Sequence, residues 1–160
     1  MRRSDREIKD FDDLISVMKK CDVCRLALFD KEYPYILPLN FGMHVNNKEI
    51  TLYFHGATEG KKYELIRECD KVSFEMDCSH RLVTDVSKGN CTMEFESIIG
   101  NGEIEFINDE DEKIEALNIL MGHYPVEKDF KFNKSIVPVT VVLKLSVLHI
   151  TGKRRMIAHN

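Results

Sequence analysis

The chain of 160 residues contains no tryptophan, only 4 prolines, and no apolar run near the roughly 20 residues that a membrane-spanning helix needs. No apolar segment follows the first basic residues as in a secretory leader, so a cytoplasmic protein is expected, with no membrane partner. Charge of one sign is also lacking. The 23 Lys and Arg against 27 Asp and Glu leave a net charge of −4, which argues against a general nucleic-acid or membrane-surface binder. The small basic clusters Arg2-Arg3 and Lys153-Arg154-Arg155 read as solvated tails. The 5 cysteines are odd in number and share no repeated spacing, so a secreted disulfide framework is not expected. Cys21-Asp22-Val23-Cys24 has the C-x-x-C form, yet it lies where a helix ends and a strand begins, the reverse of a thioredoxin-like dithiol. Cys78, His80 and Cys91 find no paired-cysteine partner to complete a tetrahedral site, and no metal is expected. Repeats, low-complexity tracts and Pro/Gly/Ser-rich linkers are missing too, so residues 1–160 should form one domain.

What is present is a succession of short alternating segments. Phe11, Leu14, Ile15 and Met18 recur at helical spacing behind Asp10, a candidate N-cap. A strand over residues 23–29 and an extended segment from Tyr35 to Val45, interrupted by Pro38, read as a hairpin. After the Asn46-Asn47-Lys48 turn, Ile50, Leu52 and Phe54 alternate with Thr51, Tyr53 and His55, as a strand with one buried face requires. A short helix over 61–69 turns Leu65, Ile66 and Cys69 inward, and Val72, Phe74 and Met76 mark the next strand. The polar run 78–90 reads as a loop. A strand over 91–99 is expected to reverse at Gly100-Asn101-Gly102 into residues 103–107. Asn108 or Asp109 caps a helix carrying Ile114, Leu117, Leu120, Met121 and Tyr124, which Pro125 stops. Residues 130–135 read as a loop. A long strand over 139–150 follows, with Val139, Val141, Leu143, Leu145 and Val147 on one face and Gly152 at its end. Hairpin succession without strand–helix alternation excludes a doubly wound parallel sheet and implies a mainly β, antiparallel barrel with peripheral helices.

The stretch Ile50 to Lys62 carries the clearest chemistry. An apolar strand enters a small-residue turn, His55-Gly56-Ala57-Thr58-Glu59-Gly60, and then the dibasic helix start Lys61-Lys62. A helix N-terminus presents unpaired N–H groups and the positive end of its dipole, so a phosphate there is favoured before either ammonium is counted. Gly56 and Gly60 would let the backbone approach such an anion closely. The spacing is not that of a nucleotide-triphosphate loop, because the two glycines are one residue too close and Tyr63 fills no Ser/Thr role. The competing reading is a surface turn with two solvated lysines.

Taken together, Arg2-Arg3-Ser4-Asp5-Arg6-Glu7-Ile8, Arg25-Leu26-Ala27-Leu28, the Pro34-to-Gly42 segment, Tyr53 to Lys62, Ser97 to Gly102 and Ile150-Thr151-Gly152-Lys153 resemble one family over the whole chain. The resemblance is to the pyridoxamine 5′-phosphate oxidase-related, FMN-binding split-barrel proteins, and within them to the 5-nitroimidazole-resistance (Nim-like) branch. It implies a six-stranded antiparallel split barrel, a homodimer, and FMN held in clefts between the subunits. It further implies that Gly56, Ala57, Gly60, Lys61 and Lys62 receive the phosphate, of charge about −1.5 to −2 near neutrality. Leu37, Pro38, Leu39 and Asn40 would line the flavin plane, and Ser97, Ile98, Ile99 and Gly100 would reach it from the second subunit.

His55 matches a histidine that lies near the flavin in the Nim-like proteins, and its side chain suits either proton transfer or hydrogen bonding to phosphate or backbone. The activity implied is reduction of a small oxidised molecule, a nitroaromatic compound among the possibilities, by an FMN-dependent oxidoreductase. Two alternatives stay open at this stage. One is pyridoxamine or pyridoxine phosphate oxidation, although the arginine-rich, tryptophan-containing C-terminal signature of those oxidases is missing. The other is a non-catalytic flavin or haem module, for which His44, His55, His80, His123 and His149 are possible axial ligands.

Overall fold

A computed structural model describes residues 3–125, 130–133 and 135–157. The elements run β1 (Glu7–Ile8), α1 (Phe11–Lys20), β2 (Cys24–Leu28), β3 (Tyr35–Leu39), β4 (Gly42–Asn46), β5 (Glu49–Gly56), α2 (Lys61–Glu68), β6 (Lys71–Asp85), β7 (Asn90–Ile107), α3 (Glu110–Gly122) and β8 (Val141–Arg155). All strand pairs are antiparallel, in the order β3-β2-β6-β7-β8-β5-β4, with β1 added beside β8. The result is an eight-stranded split barrel that does not close. Six strands were expected. The count rises because Tyr35 to Val45 is two strands, and because the two-residue β1 is too short to show a period.

The break between β3 and β4 is held by a single hydroxyl. Tyr124 Oη accepts from the Phe41 amide at 2.9 Å and donates to the Asp22 carbonyl at 2.8 Å. The Asn40 amide donates to the same carbonyl at 3.1 Å. With these groups satisfied locally the chain leaves β2 and starts β4 at the far end of the sheet. The Asn47-Lys48 turn between β4 and β5 has φ of +49° and +70°, the left-handed pair that a tight two-residue hairpin requires.

The interior follows the alternation. Ile50, Leu52 and Phe54 of β5, Val72, Phe74 and Met76 of β6, and Leu143 and Leu145 of β8 are all buried together. Helix α1 covers β6 and β7 with Leu14, Ile15, Val17 and Met18. Asp10 Oδ1 caps it by accepting from the amides of Asp12 and Asp13 at 2.9 and 3.2 Å, an arrangement worth about 0.5–2 kcal/mol. A smaller core lies outside the barrel, where Ile107 and Val142 meet Ala116 and Leu117 of α3 and Val137. Val139 falls in the short turn before β8 and is exposed, so it does not share the strand's buried face. Among the described residues no helix is long and apolar enough to cross a membrane.

Two expected loops and turns are instead continuous strand. Residues 78–90 are mostly ladder, with Arg81 to Asp85 of β6 paired to Asn90 to Glu94 of β7 across a tight turn that uses Gly89 at φ +62°. Their polarity is answered across the strands. Arg81 Nε donates to Glu94 at 2.7 Å and Ser79 Oγ to Glu96 at 2.9 Å, and both carboxylates are buried. Likewise β7 continues through Gly100-Asn101-Gly102, with a register shift against β8 between Asn101 and Gly102, and β8 continues through Gly152. These glycines mark close approach, not reversal. A Cβ on Gly100 would strike the Phe74 ring, one on Gly102 the Ser146 carbonyl, and one on Gly152 the Leu14 side chain.

Glu96 ties this region to pH. Burial alone would raise its carboxyl, but hydrogen bonds from Lys20, Ser79 and Arg154 outweigh that and hold it below its ordinary value of 4.5. A depressed folded value means the stabilisation is complete above the ordinary carboxylate range and is lost as pH falls through the lowered one. Glu96→Gln should therefore be less stable than wild type at neutral pH and show a shallower acid dependence. Urea midpoints at pH 7 and pH 3 check this, and parallel curves for the two proteins would refute it.

Candidate functional site

Strand β5 ends in the turn that the sequence marks as an anion cradle, and α2 begins directly after it. Gly60 is the N-cap of α2 at φ +144°, a backbone conformation that strains any residue with a Cβ, and its carbonyl accepts from the Tyr63 amide at 3.0 Å. Having no side chain, Gly60 leaves the first helical amides without a side-chain cap. Ala57 lies exposed in the turn.

The two lysines have different roles. Lys61 forms an ion pair with Asp30 and lies 5.2 Å from the centroid of the Tyr35 ring, which fastens α2 to the β2–β3 connection. Lys62 points the other way, with Nζ 4.5 Å from the Tyr63 ring centroid. A Cβ placed on Gly56 would lie 2.6 Å from Tyr63 Oη and 3.1 Å from Lys62 Nζ. Tyr63 is 2% exposed, and its buried hydroxyl has no hydrogen-bond partner among the described residues. Such a group costs about 1–3 kcal/mol when left unmade. The turn thus gathers a hydroxyl without a partner, an ammonium and the start of a helix around a glycine that has no room for a side chain.

His55 follows the alternation of β5 and faces out of the barrel, toward α3. It lines a cavity of about 350 Å³ together with Leu117, Leu120 and Phe132. Burial, and then the nearby Lys62 ammonium, push its imidazole below the usual histidine value. Neutral imidazole is therefore the dominant form near pH 7, able to donate one N–H and accept at the other nitrogen. His80 and His123 are committed elsewhere, His80 to Asp77 at 2.9 Å and His123 to the Cys21 carbonyl at 2.7 Å.

The other two segments divide by strand face. Leu37 is in the core, Leu39 packs against it, and Pro38 is exposed. Asn40 is exposed, and its Nδ2 donates to the Asp22 carbonyl at 3.1 Å and to the Tyr124 hydroxyl at 3.3 Å. What β3 does offer is its outer main-chain edge, since among the described residues it pairs only with β2. On β7, Ile98 and Gly100 face the core and the Ile98 side chain is wholly buried. Ser97 and Ile99 face outward beside Asp77 and Glu75 of β6. Within one chain this segment lies across the sheet from the turn at Gly56, and the two are not brought together. Cys21 and Cys24 are buried thiols whose ionisation burial pushes far up, against any ready dithiol nucleophile.

A family model described as pyridoxamine 5′-phosphate oxidase matches residues 10–154. The chain belongs to that family. Among solved structures it is similar to a protein from Bacteroides thetaiotaomicron named for 5-nitroimidazole antibiotic resistance. The identity is 34%, covering 92% of this chain and 86% of that one, with a TM-score of 0.80. An FAD- and haem-binding protein from Mycobacterium smegmatis is 18% identical, covering 93% and 73% of the two chains, with a TM-score of 0.78. An FAD-binding protein from Mesorhizobium loti is 19% identical over 94% and 98%, with a TM-score of 0.67. The last two share the fold alone. No curated protein matches.

In this member of the pyridoxamine 5′-phosphate oxidase family, the sequence pattern assigned Tyr63 no role beyond ruling out a nucleotide-triphosphate loop and did not single out Lys131. Tyr63 stands three residues before Ile66, a spacing that places it on the buried face of α2. Lys131 lies in an irregular segment, where no period exists to direct a side chain.

Proposed function

We propose that this protein binds FMN non-covalently, with the phosphate at the turn from Gly56 to Lys62, and that it reduces a small oxidised molecule. The carrying observation is the Tyr63 hydroxyl, buried and without a partner beside Gly56 and the Lys62 ammonium. A phosphate oxygen there would accept from the hydroxyl, the ammonium and the first amides of α2 at once. Bound FMN supplies the redox chemistry. Lys62 neutralises the phosphate, Gly56 admits it, and Lys61, held by Asp30, fixes the angle at which α2 presents its N-terminus. Pro38 and the free edge of β3 provide an apolar cover and main-chain groups for the flavin ring.

A homodimer completes the reading. Phe29, Ile36, Ile99 and Leu148 are each more than half exposed on the outer face of the sheet. Phe29 and Leu148 line one groove with Ser73 and Asn101, and Ile99 shares its strand face with Asn101. Clustered exposed apolar residues of this kind suit an interface, and a second copy would bring Ser97 and Ile99 to the flavin of its partner. The five cysteines are free thiols, in keeping with a reducing, cytoplasmic compartment. The acceptor class, oxidised aromatic or nitro-bearing molecules, draws its support from the similarity to the Bacteroides protein.

Purified protein should be yellow or take up FMN on titration, and anaerobically reduced protein should be reoxidised by members of a nitroaromatic panel. Colourless protein giving no heat with FMN ends this reading, and a Soret band on haem addition without flavin uptake would replace it. His55→Ala should retain flavin, because Lys62, the Tyr63 hydroxyl and the first amides of α2 remain to hold the phosphate. It should also lower kcat/KM for the acceptor about tenfold, the scale of one hydrogen bond near 1.4 kcal/mol. Equal loss of flavin and turnover would assign His55 to flavin binding instead.

A further inference from the structure

The cavity beside His55 is not used by FMN in the reading above. It is a cleft of about 350 Å³ open to solvent past the exposed Phe130 and Ile136, within the range of small-molecule sites, about 300–1,000 Å³. Its walls are apolar, with Leu117 and Leu120 of α3 facing Phe130, Phe132 and Val137.

The polar groups on its lining are of one kind. Thr140 already donates its hydroxyl proton to the Ile136 carbonyl at 2.9 Å. Asn133 Oδ1 accepts from the Ser135 amide and hydroxyl at 3.0 and 2.8 Å, which leaves its NH2 group to offer. Lys131 has only donors, and His55 has an imidazole N–H near the Lys62 ammonium. No carboxylate lines the cavity among the described residues. Apolar walls bordered by donors, with no carboxylate among the described lining residues, match a ligand that brings its own negative charge. Lys131 is exposed and carries an ammonium with which a ligand carboxylate can form a charge-assisted hydrogen bond.

We infer that this cavity binds a small ring-bearing carboxylate, its ring between α3 and the Phe130–Phe132 pair and its carboxylate on Lys131 and Asn133, with His55 as the third donor. Nothing in this inference requires flavin, so it stands or falls apart from the FMN reading.

The test is calorimetric titration of the full chain, as purified, with 1-naphthoate and with its neutral isostere 1-naphthamide. Naphthoate should bind one to one, and naphthamide at least ten times more weakly. Lys131→Met should weaken naphthoate about tenfold, the scale of one charge-assisted hydrogen bond, and leave naphthamide unchanged. Ile136→Trp, which fills the cavity from an exposed position, should abolish both, while an unchanged melting temperature shows that the fold persists. Equal affinity for the two probes, indifference to Lys131→Met, or no binding to folded wild-type protein would overturn the inference. So would stoichiometric displacement of naphthoate by FMN, which would make the cavity part of the flavin cleft.

Discussion

Lys62→Met should weaken FMN binding by this protein sharply, whereas Lys61→Met should leave most of it bound. The two residues are adjacent in sequence and identical in chemistry, so any difference comes from where the fold sends them. Lys61 spends its charge on Asp30 and covers Tyr35. Lys62 stands beside Gly56 and the Tyr63 hydroxyl, and a phosphate bound there would take from it a charge-assisted hydrogen bond worth about 1.5–3 kcal/mol. The expected loss of FMN affinity is roughly 10- to 150-fold for Lys62→Met and only a few-fold for Lys61→Met. Riboflavin, which lacks the phosphate, should bind all three proteins alike. Fluorescence titration with both flavins decides the matter. Equal losses from the two variants, or equal losses for riboflavin and FMN, would remove the phosphate from this turn.

Ile98→Ala and Ile99→Ala should separate just as sharply. Ile98 is wholly buried under Gly152 and the α1 side of the barrel, and Ile99 is 59% exposed on the opposite face of the same strand. Emptying a buried isoleucine position costs about 2–5 kcal/mol, a large part of a total stability of about 5–15 kcal/mol. The exposed change should stay within about 0.5 kcal/mol of wild type. Yet Ile99→Ala should weaken dimerisation and with it flavin retention, because the outer face carries the proposed contact. Chemical denaturation gives the first comparison and analytical ultracentrifugation the second. Similar destabilisation by both variants would mean that β7 does not present alternate faces at this point.

Much of this architecture is legible in the chain. Phe54 and Phe74 lie inside because their strands alternate with period two. Asp10 caps α1, and Asp109 caps α3 by accepting from the Glu112 amide at 3.0 Å, as short polar residues before apolar stripes do. The motif that starts at His55 stands at a strand end and a helix start, where its residue types require. The misreadings share one cause. Gly100, Gly102 and Gly152 look like turns to a local eye, but each gives way to an atom from a distant part of the chain. The run 78–90 looks like a loop because its charges are satisfied by the opposing strand, and that pairing leaves no trace in a window of ten residues.

The site divides the same way. Composition, periodicity and the order of motifs are properties of neighbours along the chain, and they sufficed for a mainly β antiparallel barrel, its buried strand faces and the strand-to-helix turn between Gly56 and Lys61. Which lysine keeps a usable charge, why Asn40 is spent on Asp22 and Tyr124, that the Tyr63 hydroxyl is left without a partner, and that His55 opens onto a cavity beside Lys131 were decided only by tertiary structure. Those facts depend on residues far apart in sequence meeting across the sheet and under α3. A hydrogen bond or a steric contact exists only once both partners have been placed.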